Sequence, residues 1–162
     1  MVYTMQIYTD GGCIGNGRPY ARGAAAAVFM NRNGGYKAFT RMLLPDPPNP
    51  PPTSQRAELT AIIIALEEAS AQLKTLMTNP WLDVTIYTDS KYAFGCMTEW
   101  RDRWRMNGMI SSKGREVVNR DLIEEAYDLE DMLKEEGDLQ YEWIPRAENQ
   151  IADEICDQLL AD

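Results

Sequence analysis

Asp10, Glu58 and Asp89 are the acids whose placement could do chemistry in this 162-residue chain. Asp10 and Asp89 each close a predicted β-strand, and Glu58 falls on the inward side of a predicted helix. Plain structural roles exist for two of them: an aspartate before Gly11-Gly12 suits a turn, and Asp89-Ser90 suits a helix N-cap. Glu58 is harder to set aside. At about 100° per residue, Ile62 and Ala65 share its side while Glu67 lies opposite, and a carboxylate turned toward a core needs a partner. If the first and fourth strands are neighbours, Asp10 and Asp89 project side by side beyond the strand ends, where α/β folds gather functional groups. A helix packed on that sheet brings Glu58 between them. Asp153, seen alone, is a solvated acid of the last helix; beside the others it would be a fourth. Such acids repel one another, and divalent cations relieve the repulsion. Ligation by oxygen alone suits Mg²⁺ or Mn²⁺. Two such ions about 4 Å apart can activate a water and stabilise the leaving oxygen of a phosphodiester.

Composition narrows the alternatives. The chain has no histidine, which excludes His-based zinc sites, Ser-His-Asp triads and His acid–base catalysis. Cys13, Cys96 and Cys156 are odd in number, scattered and without C-x-x-C spacing. That argues against a disulfide framework or a zinc cluster, and for a reducing compartment, the cytoplasm or another intracellular space. No apolar run approaches the ~20 residues of a membrane span, and Met1–Gln6 lacks the basic start and apolar stretch of a secretory signal. Sixteen Lys and Arg against 25 Asp and Glu give a net charge of −9, the wrong sign for an obvious nucleic-acid binder. The distribution says more than the sum. Met97–Arg120 holds six basic residues and three acids, whereas Asp121–Asp138 holds nine acids and one lysine. A basic island in an acidic molecule is a local footprint.

The elements that must position these residues follow from periodicity. Tyr3–Thr9 alternates as a first strand, which Asp10-Gly11-Gly12 is expected to break. Gly23–Met30 reads as a buried second strand, Asn31–Gly35 as a hairpin turn and Tyr36–Leu44 as a third strand. Six of the nine prolines lie between Pro45 and Pro52, a stiff loop that joins no ladder. Thr53 or Ser54 caps a long helix with an apolar set from Leu59 to Leu76, ended by Asn79-Pro80. Leu82–Tyr87 is a strand, Lys91–Met97 and Glu99–Arg105 are short helices, and Asp121–Glu135 is an amphipathic helix ended by Gly137. Leu139–Ile144 is a last strand and Gln150–Leu160 a last helix. The order βββ-α-β-α-α-α-β-α predicts an α/β fold: one five-stranded mixed sheet, three antiparallel strands followed by parallel ones, with helices on both faces. No repeat or linker interrupts residues 1–162, so a single domain is expected.

Five segments, in order and spacing, resemble the motifs of type 1 ribonuclease H. They are Thr9-Asp10-Gly11-Gly12, Gln55-Arg56-Ala57-Glu58-Leu59, Tyr87–Tyr92 around Asp89-Ser90, Trp100–Asp121, and Asn149-Gln150-Ile151-Ala152-Asp153. The resemblance spans Tyr3–Leu160; any one motif is common, but five in register are specific. It implies a ribonuclease H-like fold and an endonuclease that cuts the RNA strand of RNA–DNA hybrids, leaving 3′-hydroxyl and 5′-phosphate ends. It implies Asp10, Glu58, Asp89 and Asp153 as catalytic ligands of two Mg²⁺ ions, with Mn²⁺ a possible substitute. The remaining partner expectations are a monomer and no membrane.

The same resemblance assigns substrate contacts. The loop containing Cys13 and Asn16 would touch the RNA, where the 2′-hydroxyl distinguishes it from DNA. Ser54 and Gln55 match minor-groove contacts, Thr53 a phosphate-pocket hydroxyl, and Ser112 and Asn119 phosphate-proximal positions. The basic residue often found two places before that threonine is Pro51 here, which weakens the pocket. Trp100 and Trp104, with Arg101, Arg103 and Arg105 among them, suit a channel for the DNA strand; as a pair four residues apart they also suit a core. Many members carry a histidine in the loop before the last aspartate. Here Trp143–Asn149 is short and lacks one, and resembles the Pro-Arg-x-x-Asn variant of a His-less branch. Arg146 or Glu148 would then assist catalysis, unless Arg146 only pairs with a surface acid. Two alternatives stand beside the enzyme: a weak or inert nucleic-acid-binding member of the fold, and another nuclease of the same superfold.

Overall fold

A computed structural model describes every residue from Met1 to Asp162. Five strands, β1 (Val2–Ile14), β2 (Arg22–Met30), β3 (Tyr36–Leu43), β4 (Trp81–Thr88) and β5 (Gly137–Trp143), form one mixed sheet. Their spatial order is β3-β2-β1-β4-β5, antiparallel among the first three and parallel from β1 to β4 to β5. Five helices pack on it: α1 (Ser54–Leu73), α2 (Lys91–Met97), α3 (Arg101–Asn107), α4 (Arg120–Lys134) and α5 (Gln150–Ala161). The main core lies between the sheet and α1, where Leu59, Ile62, Ile63 and Leu66 meet Met5, Ile7, Val84 and Ile86. Burying each of those aliphatic side chains stabilises the fold by about 1.5–3 kcal/mol. Across the sheet, α5 covers Ala24 and Ala26 with Cys156 and Leu160. Four consecutive alanines, Ala24–Ala27, are fully buried because helices press on both faces of β2. No helix is long and apolar enough to cross a membrane.

The first strand does not stop at Asp10. It pairs with β2 as far as Ile14↔Arg22, so Asp10-Gly11-Gly12 lies inside a ladder rather than in a turn. The glycines serve close packing instead of reversal. A Cβ on Gly11 would collide with the backbone of Ala57 and Glu58, so its absence lets the first turn of α1 settle directly on β1. Gly137, expected to end α4, is the first residue of β5, and a Cβ there would strike Leu82 on the neighbouring strand.

Other boundaries shift for local reasons. Helix α1 ends at Leu73, short of Asn79-Pro80, and tighter i→i−3 bonds from Thr75 and Leu76 carry the chain out of it. Helix α3 starts after Trp100 and continues through Asn107 to Gly108, whose φ of 76° supplies the left-handed stop.

Candidate active site

The β1–β4 register sets the site. Thr9 pairs with Thr88 in a parallel ladder, so Asp10 and Asp89 leave adjacent strands side by side. Asn149 ties the start of α5 to this end of the sheet, its Nδ2 donating to the Thr9 carbonyl at 2.8 Å. That bond brings in Asp153, one turn into α5. Glu58 arrives on the second turn of α1, over Gly11. The four carboxylates line one open cleft of about 720 Å³, together with Cys13, Ser54 and Arg146.

Ser90, rather than Asp89, caps α2: its Oγ accepts the Ala93 N–H at 3.0 Å, which leaves the Asp89 carboxylate free for the cleft. The same hydroxyl donates to Glu58 Oε2 at 2.6 Å. Trp143 Nε1 donates to the Asp89 carbonyl at 3.1 Å, and Lys91 lies over the Trp143 ring. Arg146 leaves the short 3₁₀ turn Arg146–Glu148 and reaches Asp153 Oδ1 at 3.1 Å.

Electrostatics mark the cleft as strained in charge. Burial, then the charges of Asp89 and Asp153, push the Asp10 carboxyl up to about 8 against a lowering bond from Gly11. Glu58 is also raised, by burial first, with the Ser90 hydrogen bond opposing. Asp89 is raised by burial, and the Asn149 hydrogen bond and the Arg146 charge pull the other way. Three acids that resist ionisation, with a single arginine reaching one of their neighbours, make an all-oxygen donor set short of positive charge. A divalent cation supplies that charge, so the residues fit Mg²⁺. As the side chains lie, no three of them stand close enough together to form a ligand group. An open arrangement suits an ion that keeps several waters and takes ligands from substrate phosphate.

The predicted substrate contacts fall into two groups around this cleft. Asn16 Oδ1 accepts the Ser54 N–H at 2.7 Å, leaving its NH₂ at the surface. Thr53 caps α1 through the Arg56 N–H, and Gln55 is exposed beside Asn119. Further off, Trp100, Trp104 and Ser112 line a groove of about 320 Å³ with Tyr92 and Arg103. Trp104 is 8% exposed, so most of its ring serves the core while an edge lines the groove. Trp100 is half-buried and lies where a Gly95 side chain would otherwise stand. Glu148 does not reach the cleft; it lines a separate hollow beside Tyr8 and Met30.

Several residues of the site escaped sequence reasoning. Ser90 and Asn149 lay within recognised motifs, but their roles depend on partners 32 and 140 positions away. Arg56 also carries no local signal. Its guanidinium, 12% exposed, grips Asp121 with bonds of 3.0 and 2.7 Å and donates to Asn119 Oδ1 at 3.3 Å.

Comparison with known proteins follows this geometry. A family model described as RNase H matches residues 3–162. Among curated relatives, "Ribonuclease H" of Pelobacter propionicus is 34% identical over 161 residues, covering 96% of this chain and 81% of its own. "Ribonuclease H1" of Rattus norvegicus is 31% identical over 94% of this chain, which spans only 47% of the rat protein. The crystal structure of RNase H1 from the archaeon Halobacterium salinarum superposes with a TM-score of 0.67 at 21% identity, over 99% of both chains.

Proposed function

The chain belongs to the ribonuclease H family, and from that premise we propose that it is an endonuclease hydrolysing the RNA strand of RNA–DNA hybrids with two Mg²⁺ ions, leaving 3′-hydroxyl and 5′-phosphate ends. The observation that carries the proposal is the convergence of Asp10, Glu58, Asp89 and Asp153 on one cleft from four separate elements. These carboxylates would hold the metal. Bound there, Mg²⁺ supplies Lewis-acid stabilisation of phosphate charge and lowers the pKa of water. The chain's own groups do the rest. Ser90 orients Glu58 and Asn149 fixes the approach of Asp153. The exposed NH₂ of Asn16, beside Ser54, is placed to donate to a 2′-hydroxyl. Arg146, in a loop without histidine, is the cation that meets phosphate charge.

The deciding assay uses a hybrid labelled in its RNA strand. Cutting is expected with Mg²⁺ and none with EDTA, while the DNA strand and free single-stranded RNA stay whole. Cutting of the DNA strand would favour another nuclease of this fold, and tight binding without cutting would favour an inert module.

The basic island needs revision. The sequence suggests that Arg101, Arg103 and Arg105 each neutralise a DNA phosphate. In the fold Arg101 is engaged by Glu130, and Arg105 grips Asp131 with bonds of 3.1 and 2.6 Å. Arg103 is exposed on the groove with no acidic partner. Arg103→Ala is therefore expected to flatten the plot of log affinity against log salt by about 0.9, and Arg105→Ala by much less. Equal flattening by both would show that Asp131 releases its arginine to the hybrid.

A further inference from the structure

Glu130 is the most deeply buried charge in the molecule, its side chain 1% exposed, and no step of the cleavage reaction uses it. Its carboxylate meets Arg101 Nε at 2.5 Å, the Tyr141 hydroxyl at 2.7 Å and Lys134 Nζ at 3.1 Å. These partners lie on three elements: Arg101 is the first residue of α3, Lys134 the last of α4, and Tyr141 is on β5. A buried ion pair seldom adds stability over apolar side chains of the same volume, because desolvation offsets the attraction. Its presence here asks for a positional reason.

Helix α3 supplies one. It has seven residues and no side-chain cap, and buries only Trp104. Seven residues do not hold a helix by themselves; besides that one apolar ring, the Arg105–Asp131 pair ties the later part of α3 to α4, and Arg101 is the tie at its start. Arg101 Nε has no hydrogen-bond partner, so its contact with Glu130 is one of charge: opposite charges 2.5 Å apart in a buried site draw the start of α3 onto α4. What α3 carries is the free Arg103 and Trp104, which with Trp100 just before the helix make a wall of the groove.

We propose that Glu130 is a positioning residue for the hybrid: it locks α3, through Arg101, in the orientation that presents Arg103 and the Trp100–Trp104 wall to the DNA strand. The inference rests on the hybrid-cleaving function proposed above. It makes KM, and not kcat, depend on a carboxylate that substrate never touches.

Glu130→Gln keeps the volume and removes the ionic lock. The expected result is a KM for hybrid raised roughly tenfold with kcat within about twofold, together with faster amide hydrogen exchange in residues 101–107 while α1 stays protected. The direction is diagnostic, because removing one negative charge would otherwise favour nucleic acid. The double variant Arg101→Met with Glu130→Leu leaves the net charge unchanged and fills the site with apolar groups. It leaves the Tyr141 hydroxyl without its acceptor, so a modestly lower urea midpoint is expected, and the folded variant is expected to keep the raised KM. Wild-type KM in a stably folded double variant, or α3 exchange unaltered by Glu130→Gln, would overturn the proposal. A loss carried by kcat would overturn it as well. Exchange is read whether or not hybrid is cut, so a wild-type protein that cuts nothing defeats the functional proposal while the lock is still judged.

Discussion

Asp10→Asn is expected to lower kcat for hybrid cleavage by about a thousandfold or more and, at the same time, to raise the urea midpoint of the metal-free protein at pH 7. The two effects share one cause. Asp10 is 8% exposed and faces the charges of Asp89 and Asp153, so its carboxyl is held neutral until about pH 8 instead of its ordinary 3.8. Between those values the folded chain binds a proton that the unfolded chain has released. The sign follows from linkage: Asp10 costs nothing below about pH 3.8, and its cost grows as pH rises and is complete near pH 8. Glu58 and Asp89 are raised too and act in the same direction. Asparagine removes the charge with little change in shape, so the variant keeps the fold and loses the penalty along with a ligand. Urea titrations in EDTA at pH 5 and pH 8 check this. The wild type is expected to weaken between them by more than Asp10→Asn does, and added Mg²⁺ to stabilise the wild type far more. Equal pH sensitivity in both proteins would show that the carboxyl is not strained; undiminished cleavage would remove Asp10 from the reaction.

Much of this site was visible in local pattern. Alternation marks β1 and a β-rich run marks β4, but β2, β3 and α1 lie between them in the chain, so their adjacency stayed a condition until the parallel β1–β4 ladder set Asp10 and Asp89 side by side. The inward face of α1 singled out Glu58 as an acid needing a reason. Local pattern failed wherever the cause was a distant partner. Gly11-Gly12 has the composition of a turn, and only the packing of α1 against β1 turns it into strand. Arg101 and Arg105 sit in a basic run and look free, yet the acids that engage them lie on α4, 26 or more positions onward. Glu130 falls among nine acids between Asp121 and Asp138, and nothing in that run says that it alone is fully buried. Composition reports charge; it does not report which charges have already been spent on one another.

Arg146 carries the second large prediction. Its guanidinium is 76% exposed and pairs with Asp153 at 3.1 Å on the rim of the cleft. An exposed pair of this kind adds little to stability, so Arg146→Ala is expected to leave the urea midpoint unchanged. Cleavage is a different matter. The guanidinium is charged at every working pH, the charge of Asp153 beside it pushes it further that way, and no histidine in the chain can take its place beside the phosphate. Loss of a charged donor aimed at developing phosphate charge lowers kcat by roughly 10- to 100-fold, with KM nearly constant if the contact tightens only in the transition state. Lysine at this position restores charge without the planar fork, so Arg146→Lys is expected to recover part of the rate and not all of it. If the pair exists only to restrain Asp153, the alanine variant frees a ligand and kcat holds or rises, and the arginine has no part in the chemistry. Glu148, which lines a different hollow, serves as the control: Glu148→Ala is expected to leave both constants unchanged.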